Sequence, residues 1–281
     1  MKFAICNEIF QNWKFADTVV AAARAGYDAI ELAPFTFAHY VTDISAAERR
    51  TIRDTAATHG LAICGIHWVL ARTDGLYLNH SAPEIRARTA EYLCALVDFC
   101  ADTGGRIIVV GSPKQRNLLP GISAAQAWDW AAETFQNSVN RAAARGVTIC
   151  LEPLAPAETD FINTAADAIR FARQIGSPHF KIILDVKAMC SEAKPIPQII
   201  RESAPEFAHF HANDRNLKGP GFGEVDFHPI AAALDEVGYD GYVSVEVFDF
   251  SDGPEAIANR SIGYLKQVWN APRHLPRGAR R

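Results

Sequence analysis

The sequence predicts a single (β/α)8 barrel of the TIM class, and three observations carry that prediction. The chain has 281 residues, long for an ordinary domain but normal for this barrel, which runs to roughly 250 residues. Short β-type runs alternate with longer amphipathic segments from end to end, with no second composition regime. The first run is followed by Asn7-Glu8-Ile9-Phe10, which is not the glycine-rich turn that opens a doubly wound open sheet.

In chain order, the strand-like runs are 2–6, 29–32, 62–66, 106–110, 147–152, 181–185, 208–211 and 242–247. The helical segments between and after them are 16–25, 45–59, 84–103, 123–145, 164–175, 196–203, 229–237 and 254–269. Turn signals close the helices. Ala25-Gly26, His59-Gly60, Thr103-Gly104, Arg145-Gly146, Ile175-Gly176 and Val237-Gly238 stand where each should end, and glycine takes the left-handed residue there without steric cost. Residues 1–270 are assigned to the barrel. Residues 271–281, basic and proline-rich, are assigned to a loose C-terminal tail.

Composition narrows the functional classes. Hydrophobic residues make up 49% and charged residues 21%, which suits a large core and argues against disorder. A net charge of −4 argues against a nucleic-acid partner, because phosphate binding wants a basic face. No apolar run reaches the ~18–20 residues of a membrane helix. The N-terminal run Met1-Lys2-Phe3-Ala4-Ile5-Cys6 lacks a signal-peptide core. Cys6, Cys64, Cys94, Cys100, Cys150 and Cys190 are scattered without a CxxC pair. They are expected to be buried free thiols, and the protein to be cytoplasmic. Oligomeric state is left open, a homo-oligomer included.

The strand ends carry the chemistry. In 147–152, Ile149 and Leu151 share one face, and Thr148, Cys150 and Glu152 share the other. The same alternation groups Ile183 with Asp185, His209 with His211, and Ser244 with Glu246. In a barrel the apolar outer face meets the helices, and the last inward residue opens at the C-terminal mouth. Glu152, Asp185, His211 and Glu246 therefore project into one mouth from neighbouring strands. Three carboxylates converging without a cation repel one another. Three oxygen donors and an imidazole suit one divalent metal ion, Mn2+, Mg2+, Co2+ or Zn2+, with positions left for substrate.

At these residues the chain resembles the xylose-isomerase-like barrel superfamily, in particular its sugar phosphate isomerase/epimerase group, which includes ketose 3-epimerases, hydroxypyruvate isomerases and inosose-processing enzymes. The matching pieces are Gly26-Tyr27-Asp28-Ala29-Ile30-Glu31-Leu32, Leu151-Glu152-Pro153-Leu154 with Glu158 and Asn163-Thr164, Leu184-Asp185, His209-Phe210-His211, the run from Pro220 to Phe227, and Val245-Glu246. The resemblance implies that Glu152, Asp185, His211 and Glu246 hold one divalent metal, often Mn2+, and that Glu152 and Glu246 double as acid/base groups. It places Glu158 as a carboxylate beside one catalytic glutamate. Two positions depart from the epimerase pattern. A histidine usual three residues after the metal aspartate is Ala188 here, and an arginine usual after the metal histidine is matched only loosely by Arg215 and Lys218.

Lys187 enters through alternation: if the strand continues past Asp185, Val186 turns away and Lys187 returns to the mouth above the metal, where it can hold a substrate oxygen or anionic group. His67 either bonds a substrate hydroxyl or the metal shell, or is a satisfied rim histidine. His209 should sit one layer below His211 as a hydrogen-bonded core residue. The donor-rich loop 111–117 is a candidate for hydroxyl binding, and Trp13 and Trp68 either stack on a sugar face or simply pack.

The expected activity is a metal-dependent isomerase or epimerase on a ketose, sugar derivative or related polyhydroxy carbonyl compound. A metal on adjacent carbonyl and hydroxyl oxygens stabilises an enediolate while a glutamate moves the proton. The alternative is a lyase or dehydratase on a 3-keto sugar or cyclitol, using the same site to expel a leaving group. A DNA-repair endonuclease on the same fold would need more histidines and a basic face, and a purely sugar-binding barrel would not need four ligands.

Overall fold

The computed structural model describes residues 1–271, so the expected tail falls outside the described residues apart from Ala271. Eight parallel strands close in sequence order into one barrel: β1 (Lys2–Cys6), β2 (Ala29–Leu32), β3 (Ala62–Ile66), β4 (Ile107–Val110), β5 (Thr148–Leu151), β6 (Phe180–Asp185), β7 (Phe207–Ala212) and β8 (Tyr242–Val245). Around them run α1 (Phe15–Ala25), α2 (Ala46–Thr58), α3 (Pro83–Thr103), α4 (Ala124–Arg145), α5 (Ala165–Ile175), α6 (Val186–Met189), α7 (Ile196–Ser203), α8 (Phe227–Glu236) and α9 (Pro254–Asn270). The (β/α)8 class read from the sequence is the class observed.

Local chemistry sets the helix ends. Ser45 and Ser123 each close a capping box, with Glu48 and Gln126 respectively, and such a cap contributes roughly 1 kcal/mol. Gly26 and Gly104 end α1 and α3 at φ of 92° and 96°, a region a side chain strains to enter.

Inside the barrel the lower layers are small and apolar. Ala4, Ala29 and Cys64 pack against Tyr242, and Val109, Cys150 and Ile183 pack with Ile107 and Ala208. Cross-strand pairing holds the upper register: Asp185 faces His211, and His211 faces Ser244. Above the apolar layers the interior turns polar, so the barrel is a plugged core with one chemical end. All six cysteines are free. Cys6, Cys64, Cys100 and Cys150 are buried, but Cys94 on α3 and Cys190 just past α6 are only half-buried. No helix among the described residues is long and apolar enough to cross a membrane.

Candidate active site

The mouth gathers the four residues expected there. Glu152, Asp185, His211 and Glu246 are all buried, and one donor atom from each lies within 4.8 Å of the others. Glu152 and Glu246 stand one residue beyond β5 and β8, yet their N–H groups still join the ladder, to Val110 at 3.1 Å and Ala212 at 3.3 Å. That keeps both side chains in inward register. Gly111 makes room for Glu152: a Cβ there would fall 1.7 Å from its Oε2.

Three of the four donor side chains are held by partners, and Glu152 is held through its backbone. Asp185 Oδ1 accepts from the Ala188 N–H at 2.7 Å, capping α6, while Oδ2 accepts from Asn213 Nδ2. His211 is gripped on both nitrogens, with Nδ1 3.0 Å from Glu246 Oε2 and Nε2 3.1 Å from Glu31 Oε1. Glu246 Oε1 accepts from the Trp68 indole N–H at 2.7 Å. Arg116, fully buried, donates to the Glu152 carbonyl at 2.7 Å.

Electrostatics test whether this donor set fits a cation. Burial, then the charges of Glu246 and Asp185, push Glu152 up to about 8. Burial and Glu246 push Asp185 up to about 6. Burial also opposes the charge of Glu246, but His211 outweighs it and holds that carboxyl below its usual value. A buried set of three carboxylates is short of positive charge, and a divalent cation supplies it with oxygen and imidazole donors of the right kind. The residues fit one metal ion.

Beneath lies a polar layer in which sequence reasoning foresaw His209 but missed Glu31. Glu31 accepts from His209 Nε2 at 2.8 Å and meets His211 at 3.1 Å. Burial would raise the Glu31 carboxyl, but these two histidines hold it well below its usual value. His209 is thus the buried, hydrogen-bonded core residue expected of it. A signal for Glu31 existed: a lone carboxylate between Ile30 and Leu32 in an otherwise apolar strand. Asn213, two residues past His211, had the same inward-register signal. Nothing in the sequence singled out Arg116 for the Glu152 carbonyl.

Four residues expected to contact substrate sit differently from the positions read in the sequence. His67, the residue after β3, is fully buried rather than on the rim. Its Nε2 lies 2.9 Å from Glu8 Oε2, an ion-pair distance without hydrogen-bond alignment, and its Nδ1 lies 3.7 Å from Glu31. Burial would lower its pKa, but Glu8 raises it to about 9. Lys187 does not extend the strand, since β6 ends at Asp185 and Lys187 belongs to α6. It reaches the mouth by another route, donating to Glu158 Oε1 at 2.7 Å with its ammonium 3.8 Å from the centre of the Phe248 ring. Arg215 and Lys218 do not line the cavity with Glu152 and Glu246. A tight turn, with Asp214 N–H to Lys218 O at 2.8 Å and Leu217 at φ 70°, directs Arg215 to the Cys190 carbonyl and into a separate groove of about 800 Å3. Lys218 pairs with Asp252 and lies near Asp249.

Glu158 shares a cavity wall with both mouth glutamates. It lines a cavity of about 370 Å3 together with Glu152, Glu246, Phe248, Trp68 and the 111–115 loop. Its Oε2 is buried without a partner.

Comparison with known proteins places this geometry in a family. The chain is 28% identical over 259 residues to a D-psicose 3-epimerase of Agrobacterium fabrum, covering 91% of this chain and 84% of that protein. It is 25% identical over 277 residues to a 3-dehydro-D-guloside 4-epimerase of Escherichia coli, covering 95% and 99%. A crystal structure of D-psicose 3-epimerase with D-tagatose from Clostridium cellulolyticum superposes with a TM-score of 0.83 at 23% identity, over 96% of this chain and 99% of that one. Residues 19–268 match the family model described as xylose isomerase-like TIM barrel, and the chain belongs to that family.

Proposed function

We propose that this protein is a sugar epimerase that inverts a carbon next to a carbonyl, with one divalent cation, Mn2+ for preference, held by Glu152, Asp185, His211 and Glu246. The observation that carries it is the pair Glu152 and Glu246, two buried carboxylates that both line a single 370 Å3 cavity. The relatives named above, two epimerases of keto sugars, support the same chemistry.

A cation held there supplies the positive charge that acidifies the carbon between carbonyl and hydroxyl and stabilises the enediolate. The chain does the rest. One of Glu152 and Glu246 takes the proton from that carbon, and the C–H electron pair moves onto the carbonyl oxygen. The other returns a proton on the opposite face. Trp68 and His211 fix the two Glu246 oxygens in space. Lys187 holds Glu158 so that its partnerless Oε2 accepts a substrate hydroxyl, and the Phe35, Trp68 and Phe248 side chains limit water at the cavity.

The test is carbon-bound exchange. Ketoses and 3-keto sugars are incubated with the Mn2+-loaded protein in D2O and followed by NMR. The expected result is deuterium at one carbon beside the carbonyl, in a product otherwise unchanged in mass. A product lighter by one water would make the enzyme a dehydratase. Exchange at full rate in both Glu152→Gln and Glu246→Gln would overturn the proposal.

A further inference from the structure

A second cavity opens beside the first. It measures about 790 Å3 and is formed by the loops after β1 and β2, with Phe250 from the segment after β8. Phe35, Trp68 and Arg72 belong to the walls of both cavities. Trp68 is the central partition. Its indole N–H is bonded to Glu246, Phe35 meets it edge-on at 6.1 Å, and its backbone sits at φ 53°, which a bulky residue rarely adopts. Both volumes fall in the ~300–1,000 Å3 range of small-molecule pockets. The inner one, which holds the catalytic carboxylates, is of a size for one sugar ring, so the outer one is surplus to a free hexose.

The outer walls have a definite chemistry. Trp13, Phe15, Phe37 and Phe250 present aromatic surface, and Trp13 and Trp68 are 39% and 37% exposed, among the few large apolar side chains left open to solvent. Aromatic faces of this kind pack against the C–H face of a sugar ring. Glu8 is buried at the same cavity. One of its oxygens meets His67, and the other, Oε1, has no hydrogen-bond partner, which leaves an acceptor for a hydroxyl. The wall charges are mixed: Lys14 and Arg72 line the cavity with Glu8, and the Arg72 guanidinium is stacked 4.4 Å from the centre of the Phe35 ring.

Resting on the epimerase reading for the inner cavity, we infer that the outer cavity is a subsite for a second sugar-like ring. The substrate is then a keto sugar joined to another ring, not a free ketohexose. The reacting unit lies against Glu152, Glu158 and Glu246. The attached ring crosses Trp68 and lies against Trp13, with a hydroxyl toward Glu8.

The experiment keeps the reacting ring constant and varies the attachment. The Mg2+-loaded full chain, chosen as diamagnetic, is given 3-keto methyl glucoside as the single-ring probe and 3-keto trehalose as the two-ring probe. D2O exchange gives kcat/KM for each, and saturation-transfer NMR reports which protons touch the protein. The expected result is a kcat/KM at least about tenfold higher for the two-ring probe, with saturation on its second ring. Trp13→Ala should remove that saturation and move the ratio of the two kcat/KM values toward one. Phe250→Leu, a milder change in the same cavity, should move it the same way. Equal kcat/KM for both probes, or a ratio untouched by both variants, overturns the inference. If neither probe exchanges, the epimerase reading fails for these sugars and saturation alone decides. Second-ring saturation lost in Trp13→Ala supports the subsite, and no second-ring saturation in the parent chain overturns it.

Discussion

Glu246 illustrates how single residues in this mouth serve two ends at once. Trp68 holds one oxygen and His211 lies 3.0 Å from the other, so the carboxylate is aimed before any ligand arrives. Glu246→Gln keeps the size and removes the charge. Exchange into substrate should fall by about 10²–10⁴-fold, the usual share of a positioned acid or base, even with excess Mn2+ restoring occupancy. Turnover near the parent value would leave Glu246 with a ligand role at most. Glu31 acts one layer down by gripping His211 on the nitrogen that faces away from Glu246. Glu31→Gln should weaken metal binding by about 10–100-fold, the usual effect of losing a partner behind a ligand. Titration calorimetry reads it, with circular dichroism to show the barrel intact. Unchanged affinity would reduce Glu31 to a packing role.

At the scale of elements, the junction of β6 with α6 decides what lies over the mouth. Asp185 both ends the strand and caps the helix through the Ala188 N–H. Period-two alternation therefore stops at that residue, and Lys187 is delivered by a helical turn. Its N–H donates to Asn213 Oδ1 at 2.7 Å and its ammonium to Glu158, tying three strand-end loops together. With Lys187→Met, Glu158 loses its anchor while the four donors keep theirs. Metal content should stay at one ion per chain, and kcat/KM should drop at least about tenfold, equivalent to ~1.4 kcal/mol of transition-state stabilisation. A variant with its metal and its full kcat/KM would make Lys187 a bystander.

For the whole molecule, the buried carboxylates couple stability to pH. Glu152 is raised from 4.5 to about 8 and Asp185 from 3.8 to about 6, chiefly by burial. The metal-free folded chain therefore holds these protons more tightly than the unfolded chain. Their contribution is complete below the unfolded values and is lost as pH rises through about 6 and then about 8. His211, raised well above 6.5 by Glu246 and Glu31 against the effect of burial, acts in the same direction. Glu246 and Glu31, both lowered, lose their contributions only in acid, below that window. Cation binding requires the deprotonated forms and so strengthens as pH rises. Free Mn2+ at a hundred times its Kd should add about 2.7 kcal/mol. The Tm of EDTA-treated protein should fall between about pH 5 and about pH 8, and the gap to Mn2+-loaded protein should widen over that span. Scanning calorimetry at several pH values measures both, and a gap that stays constant would remove the carboxylates as its cause.

The strands and the four mouth donors were legible in the sequence because both follow from short-range rules. Alternation along 147–152, 181–185, 208–211 and 242–247 assigns a face to every side chain, and barrel closure sends the last inward residue to the mouth. Glu152, Asp185, His211 and Glu246 needed nothing more. Contacts between distant parts of the chain were a different matter. Trp68 meets Glu246, and Glu31 meets His209, each across 178 residues, and no local pattern sets such a pairing. Arg215 and Lys218 have the right residue types near the right place, yet a turn at Asp214 sends them elsewhere. The two cavities are the clearest case, because their walls come from loops after several different strands. The alternation of a strand is set by its own backbone, whereas the shape of a mouth is set by how separate loops pack against one another, and that exists only once the barrel has closed.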